Sequence, residues 1–143
     1  MRNTWKMLAG LALAGQLSAG GFFLQVGNPE ASKEAQQLGA VMTIQAAGCH
    51  DPATAKITAT AIGVVNGRRR EIPLKVVPMS TAGMFAVTER WPSEGTWVIE
   101  LVGRNPDQFT NTLVGVNANG VDRTRLKEDM HQFKAADVEA MLK

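Results

Sequence analysis

The sequence predicts an all-β fold, an antiparallel β-sandwich followed by a short helix. Stretches of alternating or β-branched residues, about six in number, lie between residues 41 and 116. Turn-forming residues separate these stretches at intervals of about 8 to 14 residues, and no helical period interrupts them. This spacing is typical of a small sandwich of the immunoglobulin-like type, with a small barrel as the alternative.

The N-terminus has the features of a secretory signal. Met1–Lys6 is basic, and Met7–Leu17 is an apolar run that ends in small residues. We therefore expect a signal helix and a signal peptide over residues 1–20, cut near Ala19 or Gly20, and a periplasmic or secreted protein. An uncleaved membrane anchor reaching to about Gly27 is the alternative, because this apolar stretch is long enough to cross a bilayer.

Length and composition limit the remaining chain to one small globular domain. The sequence has 143 residues, of which 45% are apolar and 20% charged, and this excludes a disordered chain. The net charge is +2, and Arg2 and Lys6 supply it, so the mature chain is close to neutral and offers no case for nucleic acid. Cys49 is the single cysteine, so no intrachain disulfide forms.

The first half of the domain contains a predicted β-hairpin. Residues 21–37 are interpreted as a polar spacer, and the sandwich is placed at 38–117, with Val41–Ala47 as its first strand. Asn66-Gly67 predicts a tight turn, because both residues adopt positive φ readily. The strand after this turn contains Pro73, which cannot donate a ladder hydrogen bond and therefore favours a sheet edge.

The second half contains a second predicted hairpin. Met84–Trp91 and Thr96–Val102 are expected to pair around the turn Pro92–Gly95, with Trp97 as a buried anchor that shares a face with Ile99 and Leu101.

The predicted domain ends by turn chemistry after one further strand. Thr110–Val116 supplies that strand, and the turn-rich Asn117–Gly120 marks the end of the β region. Residues 118–143 are interpreted as a tail with a short helix starting near Ala135, whose apolar face docks on the sandwich, frays or binds a partner.

The run Phe85–Leu101 has a strand, a Pro-x-x-Gly turn and an aromatic residue that opens the next strand. It resembles the late hairpin of transthyretin-like (carboxypeptidase regulatory-like) modules and of YtkA-like or FixH-like periplasmic domains, over about Ala55–Val116. The resemblance implies an exported sandwich with an accessory, binding or assembly role, and copper handling in some members. It supports the fold, and no ligand set of these families transfers to residues of this chain.

The preferred functional hypothesis is a non-catalytic interaction module. No nucleophile with a histidine base and orienting residue, paired carboxylates or phosphate loop is recognisable, so an enzyme is the weakest alternative. Arg68, Arg69 and Arg70 at the hairpin tip and Trp91 beside Pro92 are the candidate contacts for a protein or other envelope component. Contact with a membrane is expected only if the N-terminal segment is uncleaved.

Copper handling is the alternative function. Thiol, imidazole and thioether groups suit Cu(I), although no compact ligand spacing is present. The candidate ligands are Cys49, His50, Met79 and Met84, with His131 and Met130 as further ligand types. Methionines fill cores more often than they bind metals, so no cofactor is the preferred expectation.

Overall fold

The computed structural model describes residues 21–143, so the predicted signal segment, residues 1–20, lies outside the described residues. Two antiparallel sheets contain the nine strands of this part. Sheet A consists of β1 (Phe23–Gly27), β2 (Met42–Ala47), β5 (Val76–Pro78) and β6 (Met84–Val87). Sheet B consists of β3 (Lys56–Val65), β4 (Arg68–Leu74), β7 (Thr96–Asn105), β8 (Gln108–Asn117) and β9 (Gly120–Asp129).

The helices are short. The α-helices are α1 (Lys33–Gln37) and α2 (Ala135–Met141), and single 3₁₀ turns cover Pro29–Ala31 and Pro52–Thr54. Within residues 21–143, no helix has the length and apolar character needed to cross a membrane.

The strand order confirms an all-β, two-sheet antiparallel sandwich. Sheet A has the order β1-β2-β6-β5, and sheet B has the order β4-β3-β7-β8-β9. The chain crosses between the sheets after β2, β4 and β6, whereas β7, β8 and β9 follow one another as a meander. Each sheet therefore buries one face against the other.

The main core lies between the sheets and is apolar. Trp97, Ile99 and Leu101 alternate along β7 and all face this core, as the period-2 pattern predicts. Leu24 of β1 and Ile44 of β2 meet them from sheet A, and both are essentially inaccessible to solvent.

A second, smaller core covers the outer face of sheet B. Val138 of α2 packs with Val98 and Leu113, and Met141 and Leu142 lie at its margin. The predicted C-terminal helix is thus confirmed. Of the three alternatives, docking, fraying and partner binding, the structure shows docking on the sandwich. A helix of this length is marginal in isolation, so this packing supplies its stability.

The hairpin at Asn66-Gly67 is confirmed. Asn66 has φ 51° and Gly67 has φ 75°, which are the two positive values that a tight β3–β4 turn requires. β4 is an outermost strand of sheet B, so Pro73 lies at an edge, as predicted.

The second predicted hairpin is wrong. β6 belongs to sheet A and pairs with β2 and β5, whereas β7 belongs to sheet B and pairs with β3 and β8. Residues 88–95 therefore link the two sheets. Pro92 and Gly95 favour a turn, but turn chemistry does not specify whether the flanking strands pair with each other.

The sandwich extends beyond the predicted bounds of 38–117 at both ends. Phe23–Gly27, inside the predicted spacer, forms β1, and Gly120–Asp129, inside the predicted tail, forms β9. Asn117–Gly120 is therefore a hairpin turn and does not end the domain. The alternative anchor counted to Gly27 includes β1, whose residues pair with β2 as a strand.

Candidate functional site

One end of the sandwich brings three segments of the chain together. They are the link 88–95, the β8–β9 turn at residues 118–119 and the C-terminal end of α2. Gly95 allows the link to approach β3 closely, because it has φ 86° and a Cβ there would overlap the carbonyl oxygen of Val64. This end of the molecule is called the Trp91 end below.

Trp91 lies between two clefts at this end. The larger cleft has a volume of about 460 Å³ and is lined by Trp91, Trp97 and Leu142 among others. The smaller has a volume of about 280 Å³, and Arg90, Trp91 and Gly120 line both clefts. Trp91 is half-buried and packs against the main core, so its ring is held in place while one side faces the clefts. Clefts of this size suit a small ligand or a peptide side chain.

The lining of the clefts is basic. Arg90, Arg125 and Lys143 line the larger cleft, and no acidic side chain lies among its lining residues. Arg90 and Arg123 line the smaller cleft, where Glu30 is the acidic member. Excluding Arg2 and Lys6 from the 15 basic residues leaves 13, equal to the 13 acidic residues, so this positive charge is concentrated locally in a neutral domain.

Arg125 contributes positive charge to the larger cleft and also has a structural role. Its guanidinium donates to the carbonyl oxygen of Met141 at 2.8 Å and to that of Val116 at 3.4 Å. These bonds tie the end of α2 to sheet B and hold one positive group in the wall of the larger cleft. Arg90, Arg123 and Lys143 form no ion pair within residues 21–143, so they are available to a ligand.

Asp122, a residue of β9 near the Trp91 end, stabilises the local structure of that strand. The hydroxyl and the backbone N–H of Thr124 donate to Asp122 and lower the pKa of its carboxyl, and Arg125 adds to the effect. The Asp122 carboxylate is therefore engaged in hydrogen bonds within β9. It is not among the residues that line the clefts.

The predicted arginine patch is divided between two faces. Arg69 pairs with Val64 on the outer side of sheet B, where its guanidinium forms an ion pair with Glu139 of α2. Arg68 and Arg70 alternate to the opposite face of β4 and are exposed. All three lie on the strand that starts at the Asn66-Gly67 tip, which is at the Trp91 end because Val64 also pairs with Thr96.

The candidate copper ligands lie at the opposite end of the sandwich. Cys49 is half-buried and packs against the main core, whereas His50 is exposed. Met84 lies opposite Gln45 on the outer face of sheet A, and the backbone N–H of Met79 donates to its carbonyl at 2.8 Å. The two methionines are thus neighbours in a hairpin, on the face of sheet A turned away from the core.

The thiol and these thioethers therefore face different sides. The remaining candidates are exposed near the end of β9, where His131 Nδ1 lies 3.3 Å from Asp129 Oδ1 and Met130 follows that strand. Within residues 21–143, no three side chains of the types His, Cys, Asp and Glu converge. Copper handling stays a prediction, and stoichiometric copper that is lost in Cys49→Ser would establish it.

Sequence reasoning singled out Trp91 and missed the basic residues around it. Arg123 and Arg125 lie on β9 and Lys143 follows α2, so they reach Trp91 only through the fold. Arg90, the direct neighbour of Trp91, was the one available signal, since Trp and Arg together are typical of binding hot spots.

The comparisons with known proteins leave the geometry as the basis for function. No family model, curated protein or solved structure matches this chain. The coarse part of the resemblance, a two-sheet antiparallel sandwich, is present in the structure. The geometry of the Trp91 end is therefore the basis for any role beyond the fold.

Proposed function

We propose that this chain is an exported, non-catalytic binding module of the cell envelope, with an immunoglobulin-like sandwich as its scaffold and the Trp91 end as its binding surface. The observation that carries the proposal is the half-buried Trp91 between two clefts with a basic lining. A loop surface positioned by a rigid sandwich is a common place for such a site.

Export is supported by where the core begins. Phe22 is 3% exposed and Leu24 is 1% exposed, so the chain is needed in the fold from Phe22 onward. The expected cut near Ala19 removes the signal and leaves these residues in place. A periplasmic or secreted location follows from this proposal.

A non-catalytic role is supported by the chemistry of the clefts. Their lining residues include neither histidine nor cysteine within the described chain. The linings do contain Ser93, Thr96, Lys143 and Glu30. General acid–base or nucleophilic chemistry needs such a group paired with a base or an orienting residue, and within the described chain no side-chain hydrogen bond pairs any of these four. The lining instead offers a fixed indole ring and flexible cations, which bind without reacting.

The ligand of this surface is expected to carry negative charge. Arg90 and Lys143 are exposed at the larger cleft, and the Trp91 ring supplies an apolar contact beside them. A segment that joins carboxylates to an aromatic or aliphatic side chain matches both features. Because exposed charges are screened by ions, the affinity should fall as salt is added.

Isothermal titration with a defined peptide tests this proposal. The probe is a short acetylated peptide of glutamates flanking one phenylalanine, and the control probe replaces the glutamates with lysines. We expect the acidic peptide to bind and Trp91→Ala to weaken it about tenfold or more, as for an aromatic hot spot.

The opposite end of the molecule provides a matched control variant. Phe109 is also a half-buried aromatic, and the guanidinium carbon of Arg104 lies 4.9 Å from its ring centroid. Phe109→Ala should leave peptide binding unchanged. Equal binding of the acidic and basic peptides, or equal losses in the two alanine variants, would contradict the proposal.

A further inference from the structure

The side chain of Arg125 crosses sheet B over Gly115. A Cβ at residue 115 would lie 2.7 Å from Cβ of Arg125 and 3.1 Å from its guanidinium carbon, so the two side chains could not share this space. Gly115 is buried on β8, at the register shift between β8 and β9. The missing side chain at residue 115 is therefore what lets Arg125 of β9 reach the end of α2.

Arg125 connects α2 with the wall of the larger cleft. Its guanidinium donates to the carbonyl oxygen of Met141 at 2.8 Å. This carbonyl belongs to the last turn of the helix, where carbonyl groups have no intrahelical N–H partner. Met141, Leu142 and Lys143 line the larger cleft together with Arg125, so the end of α2 forms one side of that cleft.

Few interactions hold α2 on the sandwich. The helix has seven residues, and Val138 is its one buried side chain. Its ion pairs, Arg69–Glu139 and Lys127–Asp137, join partly exposed groups and therefore contribute little. A segment with so little buried surface opens at a lower free energy than the sheets unfold. Opening of α2 removes one side of the larger cleft.

We propose that docking of α2 and binding of a ligand at the Trp91 end stabilise each other, with Arg125 as the positioning residue that connects them. The larger cleft has its complete lining only while α2 is docked, so the acidic ligand binds the docked form more tightly. By thermodynamic linkage, the bound ligand then favours docking by the same factor. This inference rests on the proposed function, and it adds a conformational change that the binding surface alone does not require.

Amide hydrogen exchange, followed by NMR, tests the coupling. Protein expressed from the full sequence is compared with and without the glutamate–phenylalanine peptide. The N–H groups of Val138 and Leu142 bond to the carbonyls of Lys134 and Glu139, so they exchange when α2 opens. With free peptide at about 100 times its dissociation constant, their exchange should slow by about 100-fold.

The other α-helix, α1, provides a matched control within the same molecule. It is also short, and the N–H of Leu38 at its end bonds to the carbonyl of Glu34 at 2.9 Å. No residue of α1 lines either cleft within residues 21–143. Exchange at Leu38 should therefore be the same with and without the peptide, and equal slowing in the two helices would overturn the coupling.

Gly115→Ala tests the role of Arg125 without changing any charge. Residue 115 is not among the cleft-lining residues, and the added methyl group displaces the Arg125 side chain. Without peptide, exchange at Leu142 should become about fivefold faster, which is the effect of losing one hydrogen bond. Arg125→Lys keeps the charge but not the paired donors of the guanidinium, and it should act in the same way. Unchanged exchange at Ile99 of β7 shows that the variants are folded.

The outcomes distinguish this inference from the proposed function. Peptide that binds the wild type without slowing exchange in α2 would overturn the coupling and leave the binding surface in place. Wild-type exchange at Leu142 in both Gly115→Ala and Arg125→Lys would overturn the role of Arg125. A wild type that does not bind the peptide would contradict the proposed function, and the coupling with it.

Discussion

The indole ring of Trp97 lies directly against Gly63 on the neighbouring strand. A Cβ at residue 63 would be 2.5 Å from Cδ2 of this ring, which is closer than atoms can approach. The indole N–H donates to the carbonyl oxygen of Glu94 at 2.7 Å and thereby fixes the link before β7. Trp97 thus joins the main core to the wall of the larger cleft.

Gly63→Ala should destabilise the protein by about 1–3 kcal/mol, because the added methyl group displaces the Trp97 ring from its packed position. Urea denaturation measures the change in the free energy of unfolding. Thr58→Ala, an exposed position on the same strand, is the control and should stay within about 0.5 kcal/mol of the wild type. A neutral Gly63→Ala would show that the ring is not held as described.

The C-terminal helix should depend more on packing than on its ion pairs. Val138 is 5% exposed beneath α2, so Val138→Ala is expected to cost about 1–2 kcal/mol. The Arg69–Glu139 pair is partly solvated, and Arg69→Ser should cost at most about 1 kcal/mol. Urea denaturation of both variants decides the order, and a larger loss in Arg69→Ser would contradict this account.

Stability should fall at acid pH in part through Glu34. The hydroxyl of Ser80 donates to its carboxylate at 2.7 Å and the Ser80 N–H at 2.8 Å, and these bonds lower the pKa of Glu34 below its ordinary value of 4.5. The unfolded chain therefore binds this proton more readily. The contribution is present above pH 4.5 and is lost as the pH falls through the folded-state value.

Glu34→Gln should remove this dependence, and Ser80→Ala should reduce it, because the backbone N–H of residue 80 still donates to the Glu34 carboxylate. The difference in unfolding free energy between wild type and either variant is expected to shrink as urea denaturation is repeated from neutral pH to below 4.5. A difference that stays constant over this interval would show that the Ser80 bonds do not act on Glu34.

Cleavage of the predicted signal should place the N-terminus just before Phe22. Intact-mass spectrometry of the protein from the periplasm of an expressing Gram-negative host measures it directly, and a start near Gly20 is expected. A chain that keeps residues 1–20 and is found in membranes would favour the anchor alternative. A start beyond Leu24 would remove buried core residues and contradict the fold described for β1.

Local chemistry made part of the fold predictable. Asn66-Gly67 specifies a turn by its own backbone preferences, and the alternation around Trp97 specifies which face of β7 is buried. The helix starting at Ala135 follows from its apolar face in the same way. Each of these features is determined by residues close together in the sequence.

The remaining features depend on contacts between distant segments. β9 is a charged edge strand with a register shift opposite Val114/Gly115, so it shows no clear apolar alternation. β1 lies shortly after the predicted signal segment, so its five residues fall within the stretch interpreted as a polar spacer. The basic lining around Trp91 comes from β9 and from Lys143, and no local spacing connects these residues with Trp91.

Mapping the acidic peptide by two-dimensional ¹H–¹⁵N NMR tests the central claim most directly. Titration with the glutamate–phenylalanine peptide should shift the Trp91 indole N–H and the backbone signals of Arg90, Gly120 and Lys143, which line the same cleft. Signals around His50 and Phe109 at the opposite end should stay in place. Shifts confined to that opposite end, or no shifts at low salt, would contradict a binding surface at Trp91.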